Sequence, residues 1–320
     1  MKQYRWITVY VVGIAFLAIY PAFAGSYDLT VMRDALIFAM FAVSLDLFWG
    51  RTGILCFGHA AFFGAGGYAM ALVTLSSGLV ASTWLGLLAA MLVPALLAAV
   101  VGYFLFYGGV RGSYFTIVTL ALSVIAQQAV IAWSSVTGGD TGLLGIPPLS
   151  PWGFDLSGDL ASYALVAATL ALLLAGLRLL TRGRWGQVLK AIGDNEIRAA
   201  ALGHDAPARL TAAFVLSAAI AGLAGALYVS ASGVVAPDMI GLALSTEVVA
   251  WVVIGGRGTL IGPVIGAVLV QRAQQEISSL NPVLWPMIIG LMFVAVAFLQ
   301  SDVLERFAKR FAARKTERAQ

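Results

Sequence analysis

Residues 84–107 read WLGLLAAMLVPALLAAVVGYFLFY and contain no charged side chain. A helix of about 20 apolar residues crosses the ~30 Å hydrocarbon layer of a bilayer, so this run is long enough to span a membrane. Comparable apolar runs lie at about 6–24, 31–49, 54–75, 113–133, 161–180, 210–230, 246–256, 259–271 and 284–300. The runs lack the alternation of a membrane β-barrel. The sequence therefore predicts an all-α integral membrane protein with about ten transmembrane helices, some of them short.

The composition of the whole chain agrees with this prediction. Of the 320 residues, 61% are hydrophobic and 11% are charged, whereas a soluble domain has about 25% charged residues. Such a chain cannot cover itself with a polar surface, which argues against a soluble enzyme, a nucleic-acid-binding protein and a disordered scaffold. The single cysteine, Cys56, excludes an intramolecular disulfide.

The distribution of Lys and Arg predicts the orientation in the membrane. Residues 136–160 contain three aspartates and no basic residue, whereas residues 178–209 contain six basic residues. Basic residues accumulate in cytoplasmic loops, so the first segment is predicted outside and the second inside. If residues 246–271 cross twice, ten spans place all basic residues except Arg33 and Arg272 inside. Both termini are then cytoplasmic.

The first apolar run shares features with a signal peptide. Residues 6–24 follow two basic residues, and Ala22-Phe23-Ala24 is similar to a cleavage site. The apolar part is longer than the core of a signal peptide, which favours an uncleaved first span. Residues 1–320 are then expected to form one polytopic transmembrane domain, with a basic cytoplasmic tail at 301–320.

Two glycine-rich stretches, 53–67 and 255–267, interrupt the helical pattern. Broken helices persist in a membrane only where protein buries them or where they line a cavity, and short interrupted segments in two halves of a transporter point to its pathway. We predict that these stretches line or gate a translocation pathway; close helix packing is the alternative. The candidate residues are Gly53, Gly58, His59, Gly64, Gly255, Gly256, Gly258, Gly262 and Gly266.

Few ionisable residues lie within the predicted spans. Asp46 lies near the cytoplasmic end of its span, where an interfacial ion pair with Arg51 is the simplest interpretation. His59 lies among phenylalanines and is interpreted as a packing residue rather than a ligand. Glu247 follows Ser245 and Thr246 at a predicted helix start, where capping and the helix dipole account for it.

The sequence contains no motif for metal binding, ATP binding or hydrolytic catalysis. It contains two histidines and no recognisable metal-ligand spacing, so no metal site is expected. It also lacks a P-loop and any nucleophile or zinc-protease motif, so we expect no catalytic residue and no ATP bound by this chain. The spans show no acid to pair with a substrate amino group and no obvious guanidinium for a carboxylate.

The predicted cytoplasmic loop, 183–207, contains a signal for a short helix. Asp194-Asn195-Glu196 favours a helix N-terminus, residues 197–202 can form two turns, and Gly203 can end them in the left-handed conformation. A short, partly apolar helix would then project into the cytoplasm between two spans. It is either a structured connector or a docking helix for a soluble partner.

The residues Glu196, Ala199, Ala200 and Gly203 resemble the Glu-Ala-Ala…Gly loop of ABC-importer permeases, which docks onto ATPase subunits. Further similar stretches are Thr52–Gly64, Arg111–Leu120, Thr137–Pro147, Phe214–Gly225 and Gly255–Ala267. Since they follow one another over nearly the whole chain, the sequence resembles the LivM-type permeases of bacterial branched-chain amino acid importers. That family commonly has serine at the position of Cys56.

The resemblance implies a permease of the bacterial inner membrane that is not an enzyme and binds no cofactor itself. The implied partners are a second homologous permease, two ATP-binding subunits, a periplasmic binding protein and membrane lipid, without nucleic acid. The implied cargo is a branched-chain or other apolar amino acid; permeases for urea or short amides share many of these motifs and are the alternative. A self-sufficient secondary transporter or channel is the alternative from another class, disfavoured by the lack of intramembrane acid pairs.

Overall fold

The computed structural model describes residues 15–77, 82–150 and 158–280, together with positions 10, 13, 287, 288, 290 and 291. Its helices are α1 (Ser26–Thr52), α2 (His59–Ser77), α3 (Ser82–Tyr107), α4 (Ser113–Ala132), α5 (Ser134–Thr137), α6 (Asp159–Arg182), α7 (Arg184–Asp194), α8 (Glu196–Ala201), α9 (Ala206–Ser232), α10 (Leu242–Gly255) and α11 (Ile261–Leu280). Short 3₁₀ turns lie at Tyr20–Ala22, Gly139–Thr141 and Pro237–Ile240. The predicted spans 6–24 and 284–300 lie largely outside the described residues, as does the tail 301–320.

Apolar side chains cover the outside of the helices as well as their inner faces. On α3, the side chains of Leu92, Leu96 and Phe104 are 58%, 65% and 70% exposed. Four of the described helices, α3, α4, α6 and α9, are long and apolar enough to cross a membrane. The prediction of a helical membrane protein is therefore confirmed.

The helix α9 lies at the centre of the bundle and packs against α1, α2 and α3. A Cβ atom added to Gly225 would overlap the carbonyl oxygen of Phe63, and one added to Gly66 would overlap the backbone of Gly222. The backbones of α2 and α9 approach closely because both helices have glycine at the crossing.

The non-helical segment before α10, residues 234–241, is largely buried, and only Asp238 in it is exposed. The strands β1 (Leu143–Leu144) and β2 (Val234–Val235) pair antiparallel, with Leu143 opposite Val235. The turn Pro237–Ile240 then packs against α2 and α4, and Ser123 Oγ donates to Ile240 O at 2.7 Å. The helix α10 begins directly after this turn. It has 14 residues, so it rises about 21 Å, less than the ~30 Å hydrocarbon layer.

The chain divides into two compact units. The first unit is Met1–Arg272, and it contains α1 to α10 and the first part of α11. The second is Ala273–Gln320, and its described part includes the last residues of α11. The organisation of residues 1–320 as one domain stays a prediction.

Candidate functional site: the loop 183–207 and the glycine turns

The helix α8 in the predicted cytoplasmic loop has a complete cap at each end. The Oδ1 atom of Asn195 accepts from the backbone N–H of Arg198 at 2.8 Å. At the other end Gly203 has φ +86°, and His204 N–H donates to Ala199 O at 3.2 Å, as in a Schellman motif. The prediction of a short helix that ends at a left-handed glycine is confirmed.

The surface of α8 combines small and apolar side chains. Ala199 is buried and Ala200 is exposed, while Ile197 and Leu202 are 84% and 75% exposed. A cavity of about 540 Å³ is lined by residues of α7 and α8 and by Leu202 and His204 after them. Exposed apolar side chains of this kind beside charged ones are typical of a protein interaction surface.

Arg111, in the turn between α3 and α4, holds the start of α8. Its guanidinium donates to both carboxylate oxygens of Glu196, with distances of 2.7 Å from Nη2 to Oε1 and from Nε to Oε2. The Nη1 atom donates to the carbonyl oxygens of Phe106 and Val110. This two-pronged geometry fixes the direction as well as the distance of the ion pair. The predicted coupling residue Glu196 is thus tied to the α3–α4 turn.

The helix α7 lies within the same loop and packs against α1, and no feature of the sequence had predicted it. A Cβ atom added to Gly193 would lie 2.5 Å from Arg51 O and 3.1 Å from the backbone of Thr52. Because glycine allows this approach, α7 rests directly on the last turn of α1. The loop therefore contacts the bundle at Arg111, at the end of α1 and along α9.

The carboxylate of Asp46 binds the turn between α10 and α11, and the predicted ion pair with Arg51 is wrong. Asp46 Oδ1 accepts from Gly258 N–H at 2.5 Å, and Oδ2 accepts from Leu260 N–H at 3.1 Å. Asp46 is 1% exposed, and the described residues contain no ion pair between it and Arg51. The carboxylate therefore takes its hydrogen bonds from the backbone of the turn rather than from the Arg51 side chain.

The turn held by Asp46 contains the second glycine-rich stretch. Gly256 and Gly258 have φ +96° and +80°, and the non-glycine residue Leu260 has φ +61°. Added Cβ atoms on Gly255, Gly262 and Gly266 would overlap the backbone of the facing helix. These three glycines therefore bring α10 and α11 into close contact, while the two left-handed glycines make the turn.

The candidate residues of the first stretch lie around the break between α1 and α2. Gly53 ends α1 with φ +76°, and its N–H donates to Trp49 O at 2.9 Å. A Cβ atom on Gly58 would overlap the carbonyl oxygen of Thr119 in α4, and one on Gly64 would overlap the side chain of Ile240. This stretch therefore packs against α4 and the turn that precedes α10.

His59 is the first residue of α2 and is fully enclosed. Its ring stacks on Phe41, with centroids 5.3 Å apart, and its Nε2 atom lies 2.8 Å from Ser44 Oγ. The hydroxyl of Ser44 donates to Phe41 O at 2.6 Å, so Nε2 is the donor towards Ser44. The structure therefore surrounds His59 with packing contacts inside the bundle.

The structure corrects the interpretation of Glu247. The helix α10 begins at Leu242, so Glu247 lies in its second turn rather than at the N-terminus. The hydroxyl of Ser245 instead accepts from Ala60 N–H at 3.1 Å, which joins α10 to α2. Neither Ser245 nor Thr246 caps the helix.

Removal of the Glu196 side chain tests whether its pair with Arg111 positions α8. We expect Glu196→Ala to lower uptake severalfold, because α8 loses its fixed orientation. The amount of folded protein should stay the same, since the two side chains are 28% and 33% exposed and such pairs contribute about 1 kcal/mol or less. The measurements are substrate uptake and gel filtration in detergent. The control is Lys190→Ala, an exposed residue of α7, and equal uptake by the two variants would contradict the expectation.

Comparison with known proteins places most of this chain in one family. Residues 28–297 match the family described as branched-chain amino acid transport system, permease component. The high-affinity branched-chain amino acid transport system permease protein LivM of Escherichia coli strain K12 is 27% identical over 322 residues, which cover 92% of this chain and 74% of the relative. No solved structure matches the chain.

Two other relatives differ in what their names say they import. The high-affinity branched-chain amino acid transport system permease protein BraD of Pseudomonas aeruginosa is 26% identical, covering 74% of this chain and 80% of the relative. The autoinducer 2 import system permease protein LsrC of Klebsiella pneumoniae is 32% identical over 159 residues, covering 47% of this chain and 46% of the relative. Since the family match extends over most of the helical bundle, the chain belongs to the permease components of branched-chain amino acid transport systems.

Proposed function

We propose that this permease couples ATP hydrolysis by two partner subunits to the uptake of branched-chain or other apolar amino acids. The loop 183–207 is the proposed coupling element, with Glu196, Ala199, Ala200 and Gly203 as its key residues. The observation that carries the proposal is α8 itself: a fully capped helix that exposes Ile197 and Leu202 and is braced against the bundle.

The cargo proposal is supported by the names of the relatives. LivM and BraD are described as parts of branched-chain amino acid systems, whereas LsrC, which matches less of the chain, is described as part of an autoinducer 2 system. The proposed assembly contains a second permease, two ATP-binding subunits and a periplasmic binding protein in the bacterial inner membrane. In it, the glycine-rich stretches 53–67 and 255–267 line or gate the pathway.

The proposed topology has about ten spans and cytoplasmic termini. It leaves two basic residues outside, and both are neutralised in the structure. Arg33 Nη2 lies 2.9 Å from Asp34 Oδ1, and Arg272 Nη1 lies 3.0 Å from Asp28 Oδ1. Each of the two outward basic residues of this topology thus has an aspartate partner.

A large side chain at Ala200 tests the coupling proposal. We expect Ala200→Trp to leave membrane insertion intact but to abolish both capture of the ATPase subunits and uptake. The tryptophan side chain would overpack a partner cleft that fits small residues, at a cost of about 1–3 kcal/mol. The measurement is pull-down of the ATPases from detergent, together with uptake by the assembled importer. The matched control is Ala132→Trp, at an exposed alanine that ends α4.

The two variants distinguish whether the loop 183–207 is a coupling element or only a connector between spans. Capture and uptake at the wild-type level by Ala200→Trp would show that this loop does not dock the ATPases. A secondary transporter or channel would then become the better interpretation. Equal losses in both variants would point to general damage by tryptophan and would also contradict the proposal.

A further inference from the structure

A cavity of about 250 Å³ lies at the end of the bundle opposite the coupling loop. The residues around it come from α1, α6, the last turn of α9 and the segment after β1. Much of the wall is apolar and is formed by Ile146, Leu149, Leu165, Val166 and Leu227. This volume is smaller than a drug-sized pocket and suits a small metabolite with an apolar part.

Arg33 gives this cavity a buried cation. Its side chain is 10% exposed, and Nε and Nη2 contact Asp34 Oδ1 at 3.0 and 2.9 Å. Nη1 lies 3.5 Å from Ser162 Oγ. A guanidinium has five N–H groups, so these contacts leave donors for a ligand. A ligand carboxylate matches such donors better than any neutral group does.

The last turn of α9 gives the cavity partial negative charge, opposite to the positive charge of Arg33. Residues 230–233 line the cavity, and the carbonyl groups at a helix C-terminus carry partial negative charge because they lack intrahelical partners. Ser230 is 6% exposed, and its Oγ atom has no hydrogen-bond partner among the described residues. A buried hydroxyl without a partner is costly unless a ligand or water completes it. Such an end of a helix attracts an ammonium group.

We propose that this cavity binds a zwitterionic amino acid with an apolar side chain, its carboxylate on Arg33 and its ammonium group at Ser230 and the end of α9. This proposal rests on the proposed uptake of amino acids. Arg33 and Asp34 are together neutral, so a zwitterion adds no net charge to the buried site, whereas a simple anion would add one. Residues 136–160 are predicted outside, so the cavity would receive cargo released by a binding protein.

Protection of an introduced cysteine tests the site directly. The importer with Ala231→Cys and Cys56→Ser, which keeps Arg33 and Ser230, is alkylated with N-ethylmaleimide, with and without L-leucine. We expect saturating leucine to slow alkylation by about tenfold or more, because a bound ligand excludes the reagent from the cavity. Leucinamide keeps the side chain and the ammonium group but lacks the carboxylate, and we expect it to protect by less than about twofold. The matched control is Ser135→Cys, at an exposed serine, whose alkylation leucine should not change.

The outcomes distinguish this inference from the proposed function. If the wild-type importer takes up leucine but leucine does not slow alkylation at position 231, the site is wrong and the proposed function stands. If the wild-type importer takes up no branched-chain amino acid, the proposed function itself fails. Equal protection by leucinamide would overturn the role of Arg33.

A second variant tests the site through uptake rather than through labelling of a cysteine. Ala231→Phe fills the cavity, and we expect it to lower leucine uptake by about tenfold or more, since little space for the ligand remains. Capture of the ATPase subunits should persist, because the cavity lies at the opposite end from α8. Wild-type uptake by this variant would overturn the inference.

Discussion

Replacement of Gly225 by leucine is expected to eliminate folded, transport-active permease. A Cβ atom at this position would overlap the carbonyl oxygen of Phe63, so even alanine requires α2 and α9 to separate. Overpacking a core usually costs about 1–3 kcal/mol and occasionally more. Here the clash is with backbone rather than with a side chain that can rotate, and α9 is the helix around which α1, α2 and α3 pack. The expected loss is therefore at the upper end of that range or beyond it.

The measurement is the yield of monodisperse protein in detergent, followed by uptake in proteoliposomes. Gly176→Leu is the matched control, because Gly176 lies in α6 with no atom within 4 Å of an added Cβ. We expect the control to be produced at the wild-type level. If Gly225→Leu gives as much folded, active protein as Gly176→Leu, the close contact between α2 and α9 is not required for the fold.

Removal of the Asp46 carboxylate should have the second large effect. Asp46→Ala leaves the N–H groups of Gly258 and Leu260 without their partner, and each unsatisfied buried group costs about 1–3 kcal/mol. The turn also contains left-handed residues, including Leu260 at φ +61°, which need such an anchor. We therefore expect strong loss of uptake and a lower thermal unfolding temperature in detergent.

The conservative variant and a surface control sharpen this experiment. Asp46→Asn keeps one acceptor oxygen, so we expect an effect between those of the wild type and Asp46→Ala. Glu276→Ala removes an exposed acid of α11 and should behave as the wild type. Full uptake and unchanged unfolding of Asp46→Ala would show that the turn between α10 and α11 holds its shape without α1. An ion-pair role for Asp46 would instead predict that Arg51→Ala has an equal effect.

Local features of the sequence predicted much of this protein because their physical causes are local. The length and apolarity of residues 84–107 suffice to predict a membrane helix, since a bilayer imposes one hydrophobic thickness on every span. Asn195 and Gly203 cap α8 through hydrogen bonds within a few residues, and both ends of that helix were predicted to within one residue. The family resemblance was also visible from motifs in sequence order, and the family match confirms it.

The functional partners of individual side chains depend on contacts between distant parts of the chain. Asp46 lies 212 residues from Gly258, and Arg111 lies 85 residues from Glu196. The nearest oppositely charged residue along the chain, Arg51, was therefore the wrong partner for Asp46. Two features of the sequence could have suggested the pair of Arg111 and Glu196. Arg111 is a basic residue in a short turn between two predicted spans, and Glu196 is an acid in an otherwise basic loop.

The sequence by itself determined the helical membrane class, the short capped helix α8 and the family. Only the tertiary structure decided that the segment before α10 is buried, that Asp46 anchors the second glycine turn, and that Arg33 lies beside the end of α9. Periodicity and capping report on neighbours along the chain, whereas these three features arise when helices distant in sequence pack together. A glycine in the sequence shows that another helix can approach closely at that position. Which helix does so is known only from the packed bundle.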